Sequence, residues 1–351
     1  MIEIDGSTHS GSGTLLRYAV ALATVKGEPL HMKRIRAKRP KPGLRPQHLA
    51  AVQACARISG GAIEGAEVGS QEIVYRPGPR VHGGEFRFDI GTAGSATMAA
   101  FTLIPPALFA SRPSVVSITG GLFQDFAPTL FHMEHVLIRS MRAMGADVKI
   151  EMIRPGYFPK GGGRLKLAIN PTRGLQPLKR LVPGRVRTIR GTALASNLRE
   201  QQVARRMADR CSARLLERGL KGHIEILEET DAIQRGAALA LWAETDTGCL
   251  IGADQAGKQG RRSEDIADFV VSTLLEDLDS GATTDRHLAD QLILLAALAP
   301  GTTEYTIPAI TEHVEANLWL VETILGARSE IRGRVLRIEG IGWKPLRKGS
   351  E

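Results

Sequence analysis

The sequence predicts an α/β (α+β) fold: three repeated helix–strand–helix–hairpin units forming one large domain, with a small α/β domain inserted. Three observations carry this. First, three stretches patterned as amphipathic helices end alike: QHLAAVQACARISGG (47–61), FHMEHVLIRSMRAMGA (131–146) and EHVEANLWLVETILGA (312–327). Each has histidine second, spaces its apolar residues about 3.6 apart, and stops at Gly60, Gly145 or Gly326, where a left-handed C-cap costs little. Second, each is followed by a strand pair and preceded by another helix opening from a turn. Third, His48 and His132 lie 84 residues apart, whereas His132 and His313 lie 181 apart. The excess of 97 residues forms a block between the second hairpin and the third unit.

In the first unit SGTLLRYAVALATVKG reads as the opening helix, Leu30–Arg36 as its strand, and AIEGAEVGSQEIVYRPG as the hairpin. TAGSATMAAFTLIPPALFA, SVVSITGG and DVKIEMIRPGYFPKGGGRLKLAI take those places in the second unit. DRHLADQLILLAALA and SEIRGRVLRIEGIG supply the third unit's opening helix and hairpin. Within the block, VPGRVRTIRGT opens a strand near 183 and DLDSGATTD marks the return near 280. Between them lie a helix from Leu198 to Gly219, strands HIEIL and AALALWAE, and a helix from Ser263 to Leu278. The large domain is therefore placed at 1–183 and 281–351, and the inserted domain at 184–280. Chance similarity among amphipathic helices is the weaker account of three concordant units and one coherent insertion.

Composition narrows the partner. The chain has 351 residues and a net charge of +9, from 46 basic and 37 acidic side chains. A positive surface favours nucleic acid or nucleotides without choosing between them. Only 5% of residues are aromatic, which argues against a base-stacking platform. Cys55, Cys211 and Cys249 are an odd number without ligand spacing, pointing to a reducing compartment. MIEIDGS lacks the charged and apolar regions of a leader, and no apolar run approaches membrane length. A cytoplasmic protein without a membrane partner is expected.

Charge is concentrated in KRIRAKRPKPGLRPQH (33–48), seven Lys or Arg in sixteen residues with no acid. Pro40, Pro42 and Gly43 between helix-patterned flanks make this a rigid loop, on which arginines can fork two donors onto one phosphate. His313 lies in the first turn of a helix, after Pro308 and the capping candidate Thr311. The electropositive helix start keeps imidazole neutral, and a neutral ring nitrogen is a competent nucleophile toward phosphorus. From local sequence alone, a cap or surface residue is the simpler account. The glycine-rich DGSTHSGSG (5–13), GTAGSAT (91–97) and PKGGG (159–163) could cradle phosphate or simply be tight turns, and none fits a Walker or dinucleotide fingerprint. HMEH (132–135) puts two histidines three apart without a third ligand, which fits a solvated face better than a metal site.

Taken together, IDGS…GSGTLLR (4–17), IRAKRPKPGLRPQH (35–48), GTAGSAT, YFPKGGG (157–163), HLADQL (287–292) and EHVEANLW (312–319) resemble the RNA 3′-terminal phosphate cyclase family. The match runs in order along nearly the whole chain. That family is similar in having three repeated units and an inserted small domain. The resemblance implies that His313 attacks the α-phosphate of ATP and becomes a nucleotidyl-histidine. AMP then passes to an RNA 3′-phosphate, and the neighbouring 2′-hydroxyl displaces it to leave a 2′,3′-cyclic phosphate. It assigns His287, Leu288, Ala289, Asp290 and Gln291 to the nucleotide, with Asp290 and Gln291 the foremost contacts. Arg17, Arg36, Arg39 and Gln47 are assigned to the RNA terminal phosphate. Lys41 and Arg45 could contact the RNA backbone or simply be solvated. A divalent ion, magnesium or manganese, is implied at the triphosphate. RNA 3′ ends and ATP are the expected partners, and a homo-oligomer is compatible with the sequence. Two positions depart from the pattern: Ser10 replaces a glutamate expected to serve metal and triphosphate, and Phe101 replaces an ATP-contacting glutamine. Competing readings are a catalytically silent RNA-binding relative active in ribosome biogenesis, and enolpyruvyl transfer. The presence of His313 weighs against the first, and three repeats in place of six against the second.

Overall fold

Three of the four sheets in the computed structural model, which describes residues 1–344, share one strand order and one set of strand directions. In the first sheet β1 (Ile2–Asp5) pairs parallel with β2 (Leu30–Lys33). β2 pairs antiparallel with β4 (Ile73–Arg76), which pairs antiparallel with β3 (Ala62–Glu64). The second sheet repeats this with β5 (Gly84–Asp89), β6 (Ser114–Gly120), β8 (Gly163–Asn170) and β7 (Asp147–Arg154). The third begins with β9 (Lys179–Arg180).

The chain then leaves to form a separate four-stranded sheet from β10 (Val186–Ser196), β11 (Gly222–Glu229), β12 (Gly236–Thr245) and β13 (Leu250–Ala256). It returns through β14 (Pro300–Thr306), β15 (Arg328–Arg332) and β16 (Val335–Ile341), completing the third sheet in the order β9-β14-β16-β15. Each unit is thus strand–helix–strand–helix–hairpin. The opening strand goes unread in the sequence because IEID is short, GEFRFD alternates with charged residues, and β9 has two residues. The extra block consequently interrupts the third unit after β9 instead of preceding it.

The helices of the first unit are α1 (Gly13–Lys26) and α2 (Pro46–Ser59). Those of the second are α3 (Ala96–Ala107) and the segment 130–143, formed by α4 (Leu130–His132), a π-helical turn (Met133–Leu137) and α5 (Ile138–Ala143). The separate sheet carries α6 (Val203–Leu216) and α7 (Ser263–Asp279); the third unit carries α8 (Leu288–Gln291), α9 (Ile293–Leu298) and α10 (Glu312–Leu325). Gly60 and Gly326 end α2 and α10 in the left-handed region, at φ +68° and +73°. Two boundaries differ from expectation. β2 stops at Lys33 because Arg34 and Arg36 take positive φ and turn the chain. α6 starts at Val203 because Asn197 and Gln202 are left-handed, so Leu198–Gln202 cannot extend it.

α1 is enclosed on every side, with all residues from Gly13 to Val25 buried. It packs against α2, α3 and α10, in a core shared by all three units. In the sheet of β10–β13 the strand β12 is buried on both faces. Leu239, Leu241 and Ala243 join a separate core with α6 and α7, while Ala238, Ala240 and Trp242 join the large one. This explains the unbroken apolar run AALALWA, since a strand covered on both faces has no polar side to show. No described helix is long and apolar enough to cross a membrane.

HMEH does not form a solvated face. His132 is buried and bonds Asp285, while His135 stacks on Trp242 with ring centroids 4.0 Å apart. Both histidines seat the inserted sheet against the second unit.

Candidate active site

Three helix starts meet at one place. Ser12 caps α1, its hydroxyl accepting from Thr14 N (3.3 Å), and Arg17 follows one turn later. α2 begins after Arg45, whose backbone N–H donates to His48 Nδ1 (3.3 Å). α10 begins after Thr311, whose hydroxyl accepts from Val314 N (3.2 Å) and leaves His313 in the first turn. A Cβ on Gly13 would overlap the His48 ring, so only glycine lets α1 and α2 approach this closely. His9, on the loop before α1, lies 5.1 Å from the Trp319 ring of α10. Helix starts expose N–H groups and partial positive charge, so their convergence favours an anion.

Unpaired arginines add to that field. Arg17 is buried, its Nε has no hydrogen-bond partner, and one terminal nitrogen donates to Thr14 Oγ1 (3.3 Å). Burial pulls its pKa down to about 10; Tyr18 and Asp290 oppose the fall and Arg36 adds to it. Arg36 is half-buried and donates to the carbonyls of Lys41 (2.6 Å) and Gly43 (2.8 Å), which closes the basic loop on itself. Burial, then Arg45 and Arg39, lowers its pKa. Arg39 is exposed and makes no salt bridge among the described residues. Buried Ile35 and Leu44 anchor this loop to the core at both of its ends.

The three histidines that occupy equivalent positions in the repeats have different fates. His48 is buried, and burial with Arg17, Arg36 and Arg45 depresses its pKa to about 2. His132 is enclosed with Asp285, Nε2 to Oδ2 3.1 Å. His313 alone of the three is half-buried: Nδ1 is enclosed without a partner, which leaves Nε2 as the accessible ring nitrogen. Burial first, then Arg39 and Arg17, lowers its pKa, with His287 adding and Glu312 opposing. The helix start that suggested neutrality from sequence is thus joined by stronger causes.

HLADQ divides by side chain. Leu288 and Ala289 are buried core residues, and the Ala289 carbonyl accepts from Tyr305 Oη (2.9 Å), so neither side chain faces a ligand. Asp285 orders the segment: one carboxylate oxygen accepts from His287 N and Leu288 N (both 2.8 Å), the other from Gly252 N (2.9 Å). Asp290 has its pKa pushed up to about 7, chiefly by burial and also by Asp285, against Arg17 and Asn317. Gln291 is buried with Oε1 unpartnered. Gln47 accepts from Ser95 N through Oε1 (2.8 Å) and so holds the GTAGSAT turn, which leaves its amide NH2 as the end able to donate to a phosphate.

Asn317 goes unnamed in the sequence reading although it stands four residues after His313, on the same helix face. It is fully buried, donates to the Asp290 carbonyl (3.2 Å) and carboxylate (3.3 Å), and keeps Oδ1 unpartnered. Phe101 packs edge-on against Tyr18 at 5.3 Å inside the core, where it cannot substitute for a polar ligand contact. Ser10 is buried and bonds Ser12 Oγ (3.0 Å). Asp5 is taken by Arg34 and by the Ser7 N–H (3.0 Å) and hydroxyl (2.7 Å), with Arg34 foremost in lowering its pKa. Among the described residues no three His, Cys, Asp or Glu side chains gather as a metal site. A magnesium or manganese ion that arrives with a triphosphate is held mainly by phosphate and water oxygens and needs no such cluster.

Comparison with known proteins places nearly the whole chain in one family. A family model described as RNA 3′-terminal phosphate cyclase matches residues 8–331. The RNA 3′-terminal phosphate cyclase of Archaeoglobus fulgidus is 39% identical over 340 residues, covering 97% of this chain and all of that one. The protein of that name from Caldivirga maquilingensis is 38% identical, covering 94% of each chain. The one from Pyrococcus furiosus is 36% identical, covering 95% of this chain and 96% of its own. Among solved structures, the enolpyruvyl transferase NikO from Streptomyces tendae is 12% identical with a TM-score of 0.42, over 97% of this chain and 48% of that one. That likeness is too slight to carry an argument. On the end-to-end agreement with its relatives, the chain belongs to the RNA 3′-terminal phosphate cyclase family.

Proposed function

We propose that this protein converts an RNA 3′-terminal phosphate to a 2′,3′-cyclic phosphate at the expense of ATP, with His313 as the covalent carrier of AMP. The observation that carries the reading is His313 itself: a neutral ring, with Nε2 accessible, at the meeting of three helix starts and beside Arg17, whose charge no carboxylate among the described residues neutralises in direct contact. In the first step a ring nitrogen bonds the α-phosphorus, the bond to the bridging oxygen breaks, and pyrophosphate leaves. In the second the RNA terminal phosphate displaces the histidine and takes AMP. In the third the 2′-hydroxyl attacks the terminal phosphorus, loses its proton, and AMP departs. Dividing the reaction this way replaces one difficult displacement by easier ones.

Arg17 and Arg39 are suited to hold phosphoryl oxygens, because neither is committed to an acid. Asp290, with a pKa near 7, can accept or release a proton at working pH, and Asn317 fixes its orientation. The test is a 3′-phosphorylated oligoribonucleotide labelled on its terminal phosphate, incubated with ATP. The label should become resistant to phosphatase while AMP and pyrophosphate appear in equal amounts. A label that stays sensitive, on an oligomer that is bound, would instead favour a silent RNA-binding relative. Ser10 and the occupied Asp5 are the observations on that side.

A further inference from the structure

Two motifs remain without a role: the PKGGG loop, and a pair of phenylalanines on neighbouring loops that are not in the core. Phe126 is fully exposed and its backbone sits at φ +66°, a region that bulky residues seldom occupy. Phe158, directly before PKGGG, is 70% exposed. The two loops are joined at their bases, where Phe123 and Tyr157 form a β-bridge and stack with centroids 5.5 Å apart. Two further loops close the group. Gln234 donates to the Phe158 carbonyl (2.8 Å) and accepts from Lys160 N (3.0 Å), and Arg261 forks onto Asp125 at 2.9 and 3.1 Å.

The surroundings are basic. In loops 121–128, 156–163, 230–236 and 256–262 the acids are Asp125 and Asp231, against Lys160, Arg235, Lys258, Arg261 and Arg262. Asp125 is neutralised by Arg261, while Lys160, Arg235 and Lys258 are exposed. The cluster is also continuous with the phosphate site. Gln47 holds one side of the 91–95 turn through Ser95 N, and the PKGGG loop abuts the other, where a Cβ on Gly161 would fall 2.7 Å from Ala93 Cα.

We propose that Phe126, Phe158 and Lys160 form a single-stranded RNA-binding surface that takes the nucleotides 5′ of the terminal phosphate. Exposed rings stack on bases of any sequence, and the cations follow the backbone, so the surface extends the grip without choosing a sequence. Low aromatic content is no obstacle, because two rings held outward suffice. The inference rests on the cyclase reading for the identity of its ligand.

The test measures binding without ATP, by fluorescence anisotropy, for 3′-phosphorylated oligoribonucleotides of three and twelve nucleotides. The natural protein should bind the twelve-mer more tightly than the trimer. Phe126→Ala with Phe158→Ala should weaken the twelve-mer at least about tenfold, leave the trimer unchanged, and be rescued by Tyr at both positions. Equal affinity of the natural protein for both lengths would overturn the proposal, as would an unchanged twelve-mer affinity in the double variant. A double variant that loses self-association in sedimentation while keeping its RNA affinity would assign the rings to a protein interface and overturn it too. Length-dependent binding through the rings without cyclic product would overturn the cyclase reading alone. Cyclisation with length-independent binding would overturn this inference alone.

Discussion

Arginine is used in two opposite ways in this protein. Along α6 and just past its end, arginines on one face each have an acid. Arg206 forks onto Glu264 at 2.8 and 2.9 Å, Arg210 onto Asp268 at the same distances, and Arg218 reaches Asp279 at 2.8 Å. Around His313, among the described residues, Arg17 has only a hydroxyl, Arg36 only carbonyls, and Arg39 no acid. The first set joins two helices and has little capacity left for a ligand. The second set repels itself, and adds to burial, the larger cause, in lowering the pKa values of Arg36, His48 and His313. Unneutralised positive charge is tolerated in a fold when an anion is to arrive.

The largest effect expected from this contrast is at Arg17. Arg17→Met keeps the volume and removes a buried charge that has no acid in contact, so thermal stability should hold or rise. Adduct formation or AMP transfer should fall by about a hundredfold or more, the loss typical of a positioned donor to transition-state charge. Comparison of melting temperature with single-turnover rates checks both halves. Falling stability with unchanged rates would put Arg17 in the structural set.

Arg39 should act more mildly, through His313. Because burial and, next, the Arg39 charge depress the His313 pKa, the ring stays neutral below its ordinary 6.5, and the acid limb of adduct formation should lie below that pH. Arg39→Ala removes the repulsion, raises the His313 pKa and moves the limb to higher pH, whereas Arg39→Lys should leave it in place. Identical pH profiles for natural protein and the Ala variant would show that the two do not interact.

The smallest effect belongs to the paired set. Arg210→Ala breaks a partly exposed pair and should lower thermal stability only slightly at low salt, and less at high salt. Rates with ATP and RNA should not change. A rate loss at Arg210 would mean that pairing does not separate the two uses.

Much of this contrast is present in the sequence, but unevenly. Gly60 and Gly326 mark helix ends because only glycine takes left-handed backbone without cost, and the apolar run of β12 marks a strand buried twice. The density of arginine in 33–48 shows that charge is gathered, and its prolines that the loop is stiff. Which arginines are spent is a tertiary property. Arg34 is taken by Asp5 and Arg36 by the loop's own carbonyls, although both read alike beside Arg39. β9 is invisible because two residues carry no period. Leu288 and Ala289 share a segment with Asp290, yet a helical turn directs them into the core. Asn317 becomes visible as a partner of Asp290 only when α8 and α10 meet. The three histidines share one sequence position, and their different burial comes from what the rest of the chain brings to each.

That difference among the histidines is the point on which the account stands. The most direct measurement is incubation of the natural protein and of His48→Ala, His132→Ala and His313→Ala variants with α-labelled ATP, followed by recovery of acid-labile label on the protein. The account predicts label in the natural protein, mapped to the peptide of α10. It predicts label in the folded fraction of the first two variants and none in His313→Ala of native fold. Full labelling of His313→Ala, or label on a peptide other than that of α10, would contradict it.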